Sequence, residues 1–132
     1  MIVLFQRMMY RVDLRMNPTV LYLMGENERG YGMGGQAKEM RDEPNMRPIR
    51  TKRAPGITEN CYWTDDDYER QIGLIDHDFE KLLRECAPHT IVVCPLNPTG
   101  DNIGLGAGMS QLPVRAPRTY AYICEWVKNL SL

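Results

Sequence analysis

The sequence predicts an α/β domain, with helices on both faces of a sheet. Two short apolar runs, residues 20–24 and 89–94, have the length of buried strands, and a glycine-rich loop follows each. Between them lies an amphipathic segment whose apolar residues recur at spacings of three and four, the period of a helix. These residues are Tyr68, Ile72, Ile75, Phe79, Leu82 and Cys86. Strand and helix patterns that alternate along a chain favour this architecture.

Length and charge narrow the class of protein. The chain has 132 residues, which favours a single domain over residues 1–132. Its net charge of −1 gives no electrostatic case for a nucleic-acid partner. No apolar run approaches the ~20 residues that cross a bilayer, so we expect a soluble, cytoplasmic protein without a membrane partner.

The cysteines and histidines give no metal-binding pattern. Four cysteines are scattered without a C-x-x-C pair, and only two histidines accompany them. We therefore expect reduced thiols, mostly buried, and neither a metal nor a cofactor. Cys94 lies at the end of a predicted strand, but the sequence gives it no histidine partner that would lower its pKa. The cysteines are Cys61, Cys86, Cys94 and Cys124.

The remaining elements are predicted from local patterns. Residues 2–5 and about 10–14 have the composition of two short strands or of one broken strand. Residues 36–41 open a helix that must stop before Pro44, because proline disfavours helical backbone in the residue that precedes it. Residues 47–55 contain two prolines, which is typical of an extended segment or an edge strand.

Two further helices are indicated towards the C-terminus. Thr64 and the three aspartates after it are typical of a helix start, since a hydroxyl can cap the helix and carboxylates complement its dipole. We therefore interpret these aspartates as capping residues, and Tyr62 and Trp63 as core residues. The last helix ends near Leu130.

The first glycine-rich loop is the strongest indication of function. Gly30, Gly32, Gly34 and Gly35 lie between a predicted strand and a predicted helix N-terminus. Such a loop binds anions, because free N–H groups point outward and missing Cβ atoms let a phosphate approach the backbone. Gly30-x-Gly32-x-x-Gly35 also matches the dinucleotide fingerprint, but the acidic ribose partner expected about twenty residues later is missing.

A second glycine-rich loop, residues 104–108, follows the second predicted strand. In open α/β sheets ligands bind at the carboxyl ends of the strands, so two such loops side by side would hold a diphosphate between them. The alternative is that the glycines only permit tight turns. Lys52 and Arg53, in a basic segment, could reach phosphates or lie on the surface.

The two loops and their strands resemble the ligand loops of macrodomains, which are ADP-ribose-binding α/β/α proteins. A second resemblance, over roughly residues 20–120, is to a family of small uncharacterised bacteriophage proteins. The first resemblance is carried by Gly25, Asn27, Gly32, Gly34, Gly35 and Ala37, and by Ile91, Val92, Val93, Pro95, Ile103, Gly104 and Gly106. The second is carried by segments 25–29, 34–41, 43–45, 51–52 and 63–67.

The macrodomain resemblance implies a three-layer fold with a mixed sheet that binds ADP-ribose or a related nucleotide diphosphate. It implies that the first loop contacts the distal ribose near Asn27 and that the second contacts the diphosphate, with adenine in a flanking apolar cleft. The expected ligand-binding residues are Gly25, Asn27, Gly32, Gly34, Gly35, Gln36, Lys52, Gly104, Leu105, Gly106 and Gly108. A phage protein of this kind would act on a host signalling nucleotide in the host cytoplasm.

The sequence leaves open whether the protein only binds its ligand or also hydrolyses a bond in it. Macrodomains that hydrolyse by an acidic mechanism place an aspartate directly after the triple glycine, where this chain has Gln36 and Ala37. A lysine nucleophile would have to be Lys38 or Lys52, with Asp101 as its partner. The alternatives to a pure binder are therefore a hydrolase of ADP-ribosyl linkages or of ADP-ribose phosphate, and a non-catalytic structural or protein-interaction module.

Overall fold

The computed structural model describes residues 1–131 as an α/β fold built on four strands. The strands are β1 (Ile2–Gln6), β2 (Leu21–Asn27), β3 (Met46–Lys52) and β4 (Ile91–Pro95). The helices are α1 (Arg11–Met16), α2 (Ala37–Met40), α3 (Tyr68–Arg84), α4 (Leu112–Arg115) and α5 (Pro117–Leu130), and 3-10 turns lie at Glu59–Cys61 and Asp65–Asp67.

The four strands form one sheet in the order β1-β4-β2-β3, and each pairing of neighbours is parallel. The expected mixed sheet is therefore not what the described residues form. The reason is that each connection between successive strands passes through at least one helix, so that every strand runs in the same direction. All four carboxyl ends consequently meet at one edge of the sheet.

Two hydrophobic clusters lie on opposite faces of this sheet. Leu23 of β2 belongs to one cluster, while its neighbours Tyr22 and Met24 belong to the other, because successive strand residues point to opposite faces. The first cluster also contains buried residues of α3 and α5, and the second contains buried residues of α1 and α2. These helix residues are Ile75, Phe79, Leu82, Tyr120, Ile123, Val127 and Leu130 in the first cluster, and Leu14, Ala37 and Met40 in the second.

Several elements agree with the sequence patterns, and others do not. The two apolar runs form β2 and β4, residues 47–55 overlap the edge strand β3, and the amphipathic segment forms α3. The prediction of a strand at residues 10–14 is wrong, because this segment forms α1. The Asp13 carboxylate accepts a hydrogen bond from the Tyr10 backbone N–H at 2.8 Å, which favours a helix start that the short apolar pattern does not reveal.

The start of α3 also differs from the prediction. Thr64 makes no side-chain cap, and the helix begins at Tyr68 after a 3-10 turn. Asp65 instead accepts hydrogen bonds from the backbone N–H groups of Arg118 (3.1 Å) and Thr119 (3.2 Å), so that it caps α5. Capping therefore holds for this aspartate, but for a helix more than fifty residues away.

Among residues 1–131, no helix is long and apolar enough to cross a membrane.

Candidate functional site

A cavity of about 460 Å³ lies at the carboxyl ends of β2 and β4, between the two glycine-rich loops. Both loops line it, together with the segments that follow β1 and β4. This is the edge of a parallel sheet at which α/β proteins bind ligands. Its lining comprises Arg7, Met8, Leu23, Met24, Gly25, Gly34, Gly35, Gln36, Ala37, Pro95, Leu96, Asn97, Pro98, Gly104, Gly106, Gly108, Met109 and Ser110.

The second loop packs closely against the ends of β2 and β3. A Cβ atom added at Gly25 would lie 3.5 Å from the amide nitrogen of Gly106, so the two backbones are nearly in contact there. The hydroxyl groups of Thr51 and Ser110 lie 2.7 Å apart and are hydrogen bonded. These contacts hold the second loop beside the first.

Two glycines of the second loop are required by the fold itself. Gly104 donates its N–H to the Pro95 carbonyl at 2.7 Å, and a Cβ atom there would come within 2.4 Å of the Leu96 carbonyl oxygen. Gly106 has φ +79°, and its Cβ would lie 2.4 Å from the Leu112 side chain. The turn-forming explanation is therefore sufficient for these two glycines, whatever else the loop does.

The first loop is held from within by an ion pair. Arg41 donates to both carboxylate oxygens of Glu26, at 2.7 and 2.8 Å, and also to the carbonyls of Gly30 (2.9 Å) and Gly32 (2.6 Å). The hydrogen bonds to Glu26 raise the pKa of Arg41. Both side chains are largely buried, and the guanidinium therefore fixes the path of the loop.

The cavity presents polar groups suited to an anion. The backbone N–H groups of its lining residues Gly34, Gly35, Gly106, Gly108 and Ser110 find no acceptor among residues 1–131. Arg7 is the charged residue of the lining, and its guanidinium donates to the Thr99 carbonyl at 2.6 Å. No carboxylate lines the described part of this cavity, so the site carries no charge that would repel a phosphate.

The helix expected behind the first loop contributes less than the sequence suggested. Helix α2 is four residues long, a single turn, so its dipole is far smaller than that of a helix of several turns. Any anion site in this cleft therefore depends on the loop amides and on side-chain cations rather than on the helix.

A smaller pocket of about 190 Å³ adjoins the main cavity. Met109 lies between them: its side chain approaches the Cβ position of Gly34 to 2.8 Å and that of Gly35 to 3.1 Å. Lys52 lines the small pocket, together with Glu26 and Arg41. Both cavities share the residues Gly25, Gly34, Ala37, Met109 and Ser110.

The structure distributes the predicted ligand-binding residues over three places. The main cavity is lined by Gly25, Gly34, Gly35, Gln36, Gly104, Gly106 and Gly108. The small pocket is lined by Gly25, Asn27, Gly32, Gly34 and Lys52. Leu105 lines neither of them, because its side chain is fully buried in the core.

Two predicted polar residues are already engaged in the protein. The Asn27 side chain accepts from the N–H groups of Arg29 and Gly30, both at 3.0 Å, and so builds the turn after β2. The Gln36 amide donates to the Met9 carbonyl at 2.9 Å and accepts from the Met9 N–H at 2.8 Å. Both side chains therefore shape the walls of the cleft.

The catalytic candidates Lys38, Lys52 and Asp101 do not lie together; Lys52 lines the small pocket. Lys38 and Asp101 are exposed and line neither of the two cavities. Hydrogen bonds from Thr99 and Asn97 lower the pKa of Asp101 and tie it into its own loop. A lysine–aspartate pair of Lys38 with Asp101 is thus not assembled at the cleft.

The remaining residues singled out from the sequence have structural roles. Trp63 is fully buried and donates to Glu28 at 2.8 Å, and Tyr62 is also buried, which confirms that both are core residues. Burial raises the pKa of the Cys94 thiol to about 12, which removes its reactivity as a nucleophile near neutral pH. Among residues 1–131 no group of three or more metal-ligating side chains lies together.

Sequence reasoning missed the contributions of Arg7, Met8 and Met109. Arg7 and Met8 reach the cavity because β1 pairs with β4, a neighbour relationship that no local pattern specifies. Met109 directly follows the second glycine-rich loop, and its position there was the only signal that could have drawn attention to it.

Comparison with known proteins identifies the family of this chain. Residues 4–126 match a family of unknown function, DUF7831, and the chain belongs to it. No curated protein and no solved structure gives a significant match.

Proposed function

We propose that the cleft between the two glycine-rich loops binds a nucleotide diphosphate of the ADP-ribose class. The observation that carries this proposal is the convergence of both loops on one cavity of about 460 Å³. Nucleotide sites in open α/β sheets occupy this position, and cavities of about 300–1,000 Å³ hold small ligands.

The chemistry of the lining supports such a ligand. The apolar residues of the lining that lie outside the core, Met8, Leu96 and Pro98, suit an aromatic base. The loop amides at Gly34, Gly35 and Gly108 have no acceptor among residues 1–131 and suit phosphate oxygens. We place the adenine against these apolar residues, the diphosphate between the loops, and the distal ribose towards the first loop.

The likeness to macrodomains is part of the proposal. It is supported by the two loops and by the hydrophobic clusters on both faces of the sheet. A phage protein of this kind would sequester a host signalling nucleotide in the host cytoplasm. Binding is preferred over hydrolysis because the exposed Lys38 and Asp101 line neither cavity.

Calorimetric titration with ADP-ribose, NAD and cyclic ADP-ribose tests the proposal. We expect a saturable heat for at least one of them, and a ligand at about 100 times its Kd should stabilise the fold by about 2.7 kcal/mol. Chromatography of the mixture should return the ligand intact. Absence of heat and of a thermal shift with all three would favour the structural or protein-interaction module, and a new product would favour the hydrolase.

A further inference from the structure

Lys52 is a buried cation that has no ionic partner among residues 1–131. It ends β3, only 6% of its surface is exposed, and its ammonium donates to the Gly56 carbonyl at 2.6 Å. Among residues 1–131 no carboxylate forms an ion pair with it. An ammonium carries three N–H donors, so two remain for another acceptor.

The ammonium of Lys52 faces an aromatic ring rather than a carboxylate. It lies 4.6 Å from the centre of the Tyr62 ring. The guanidinium of Arg115 lies 3.8 Å from the same ring but is itself paired with Glu59 at 2.8 Å. An aromatic ring compensates a buried cation only in part. Burial of an unpaired charge is costly, and an anion bound beside Lys52 would remove that cost.

The small pocket gives this anion a place. The pocket is lined by Lys52 and by the backbone of Gly32, Gly34 and Gly56. The one carboxylate in its lining, Glu26, is neutralised by Arg41 through two hydrogen bonds. The ammonium of Lys52 is therefore the uncompensated charge of the pocket.

We propose that this small pocket is a phosphate subsite centred on Lys52. It is distinct from the main cavity, and the two cavities meet at Met109. The ligand class that fits both cavities is a nucleotide whose phosphate lies well beyond its base. Its base occupies the main cavity, its diphosphate extends from the loop amides to the ammonium of Lys52, and the Met109 side chain moves aside to let the two parts connect. The assignment of the base and the phosphate to one ligand rests on the proposed function.

Inorganic pyrophosphate is the direct probe of the subsite. We expect it to shift the amide NMR signals of Gly32, Gly34, Gly56 and Ser110 in the wild-type protein. The Lys52→Met variant keeps the length of the stem and loses the charge, and should bind pyrophosphate at least about tenfold more weakly, the loss expected for one charge-assisted hydrogen bond. Lys38→Met removes an exposed lysine of α2 and should leave the affinity unchanged.

The outcomes separate the subsite from the proposed function. Three results would overturn the subsite. They are equal pyrophosphate affinity in wild type and Lys52→Met, no binding of pyrophosphate, and NMR shifts confined to the region of Arg7. If the wild-type protein binds ADP-ribose and Lys52→Met binds it equally well, the subsite fails while the proposed function stands. If pyrophosphate binds at Lys52 and no nucleotide binds, the proposed function fails while the phosphate subsite stands. Should the variant not fold, the NMR map of the wild-type protein decides alone.

Discussion

The terminal methyl of Met109 approaches the position of a Cβ atom at Gly34 to 2.8 Å, so that one side chain bridges the two glycine-rich loops. This contact separates the main cavity from the pocket around Lys52. Met109 is 57% exposed, and its side chain is unbranched with several rotatable bonds. It is therefore a divider that can move.

The variant Met109→Ala should strengthen the binding of ADP-ribose several-fold, because a ligand that spans both cavities no longer has to displace a side chain. Adenosine fills the main cavity alone, and its affinity should change by less than about twofold. Calorimetry on both ligands measures the difference, with Met16→Ala on the exposed face of α1 as the control. Weaker binding of ADP-ribose to Met109→Ala would show that Met109 contacts the ligand instead of obstructing it.

The ion pair between Glu26 and Arg41 should be essential for the first loop. Glu26→Gln leaves a largely buried guanidinium without its charge partner, which costs about 3 kcal/mol of the free energy of unfolding. Urea denaturation measures this loss. The control is Glu59→Gln, which breaks the pair with Arg115 at a carboxylate whose side chain is 86% exposed, and should not move the midpoint detectably. Equal urea midpoints for Glu26→Gln and wild type would contradict this role of the ion pair.

Asp65 should stabilise α5 rather than α3. The variant Asp65→Ala removes the acceptor of the Arg118 and Thr119 N–H groups and should cost about 1 kcal/mol, the usual value of a helix cap. Hydrogen exchange should then rise in the first turn of α5. The neighbouring variant Asp66→Ala removes an exposed carboxylate and should leave exchange in α5 unchanged. Faster exchange only at the start of α3 would show that Asp65 caps α3 instead of α5, which would contradict the prediction.

Glu28 should make stability depend on pH on the acid side. Burial acts to raise its pKa, but hydrogen bonds from Arg70 and Trp63 and the charge of Arg70 outweigh it and lower the pKa below 4.5. A lowered pKa in the folded state stabilises the protein above pH 4.5, and this contribution disappears as pH falls through the folded-state value. Glu28→Gln should therefore lose about 1–3 kcal/mol at pH 7.

The measurement for Glu28 is thermal unfolding of wild type and Glu28→Gln from pH 7 down to pH 3. The two curves should approach each other as the pH falls below 4.5 and should meet once the folded-state carboxylate is protonated. Glu80→Gln, on the exposed surface of α3, should follow the wild type throughout. A constant gap between wild type and Glu28→Gln over the whole range would contradict the assignment.

Much of the fold follows from local patterns. The apolar run at residues 89–94 has the length of a strand, and the stripe from Tyr68 to Leu82 has the period of a helix. These two patterns become β4 and α3, as expected. Residues 10–14 do not become the expected strand, because the hydrogen bond from the Tyr10 N–H to the Asp13 carboxylate favours a helix. The parallel direction of all strands follows from the helices that connect successive strands, whereas the order of the strands in the sheet is encoded by no single segment.

The site was predictable only where residues adjacent in sequence form it. The glycine-rich loops follow strands, so their meeting at one edge could be expected from strand direction. Arg7 joins them through the pairing of β1 with β4, and Met109 divides the cleft through a contact with Gly34. Both depend on contacts between distant parts of the chain. The engagement of the Gln36 amide with Met9 likewise has no local signal.

A glycine replacement tests the central claim most directly. Gly35 has φ +55°, so a side chain there would strain the backbone, whereas Gly108 has no positive φ and no heavy atom within 4 Å of its Cβ position. Gly73, on α3 outside the cleft, offers equal space and serves as the matched control. We therefore compare the calorimetric titration of ADP-ribose into wild type, Gly108→Glu and Gly73→Glu. The account predicts binding by wild type and Gly73→Glu and none by Gly108→Glu, and unaltered affinity of folded Gly108→Glu would contradict it.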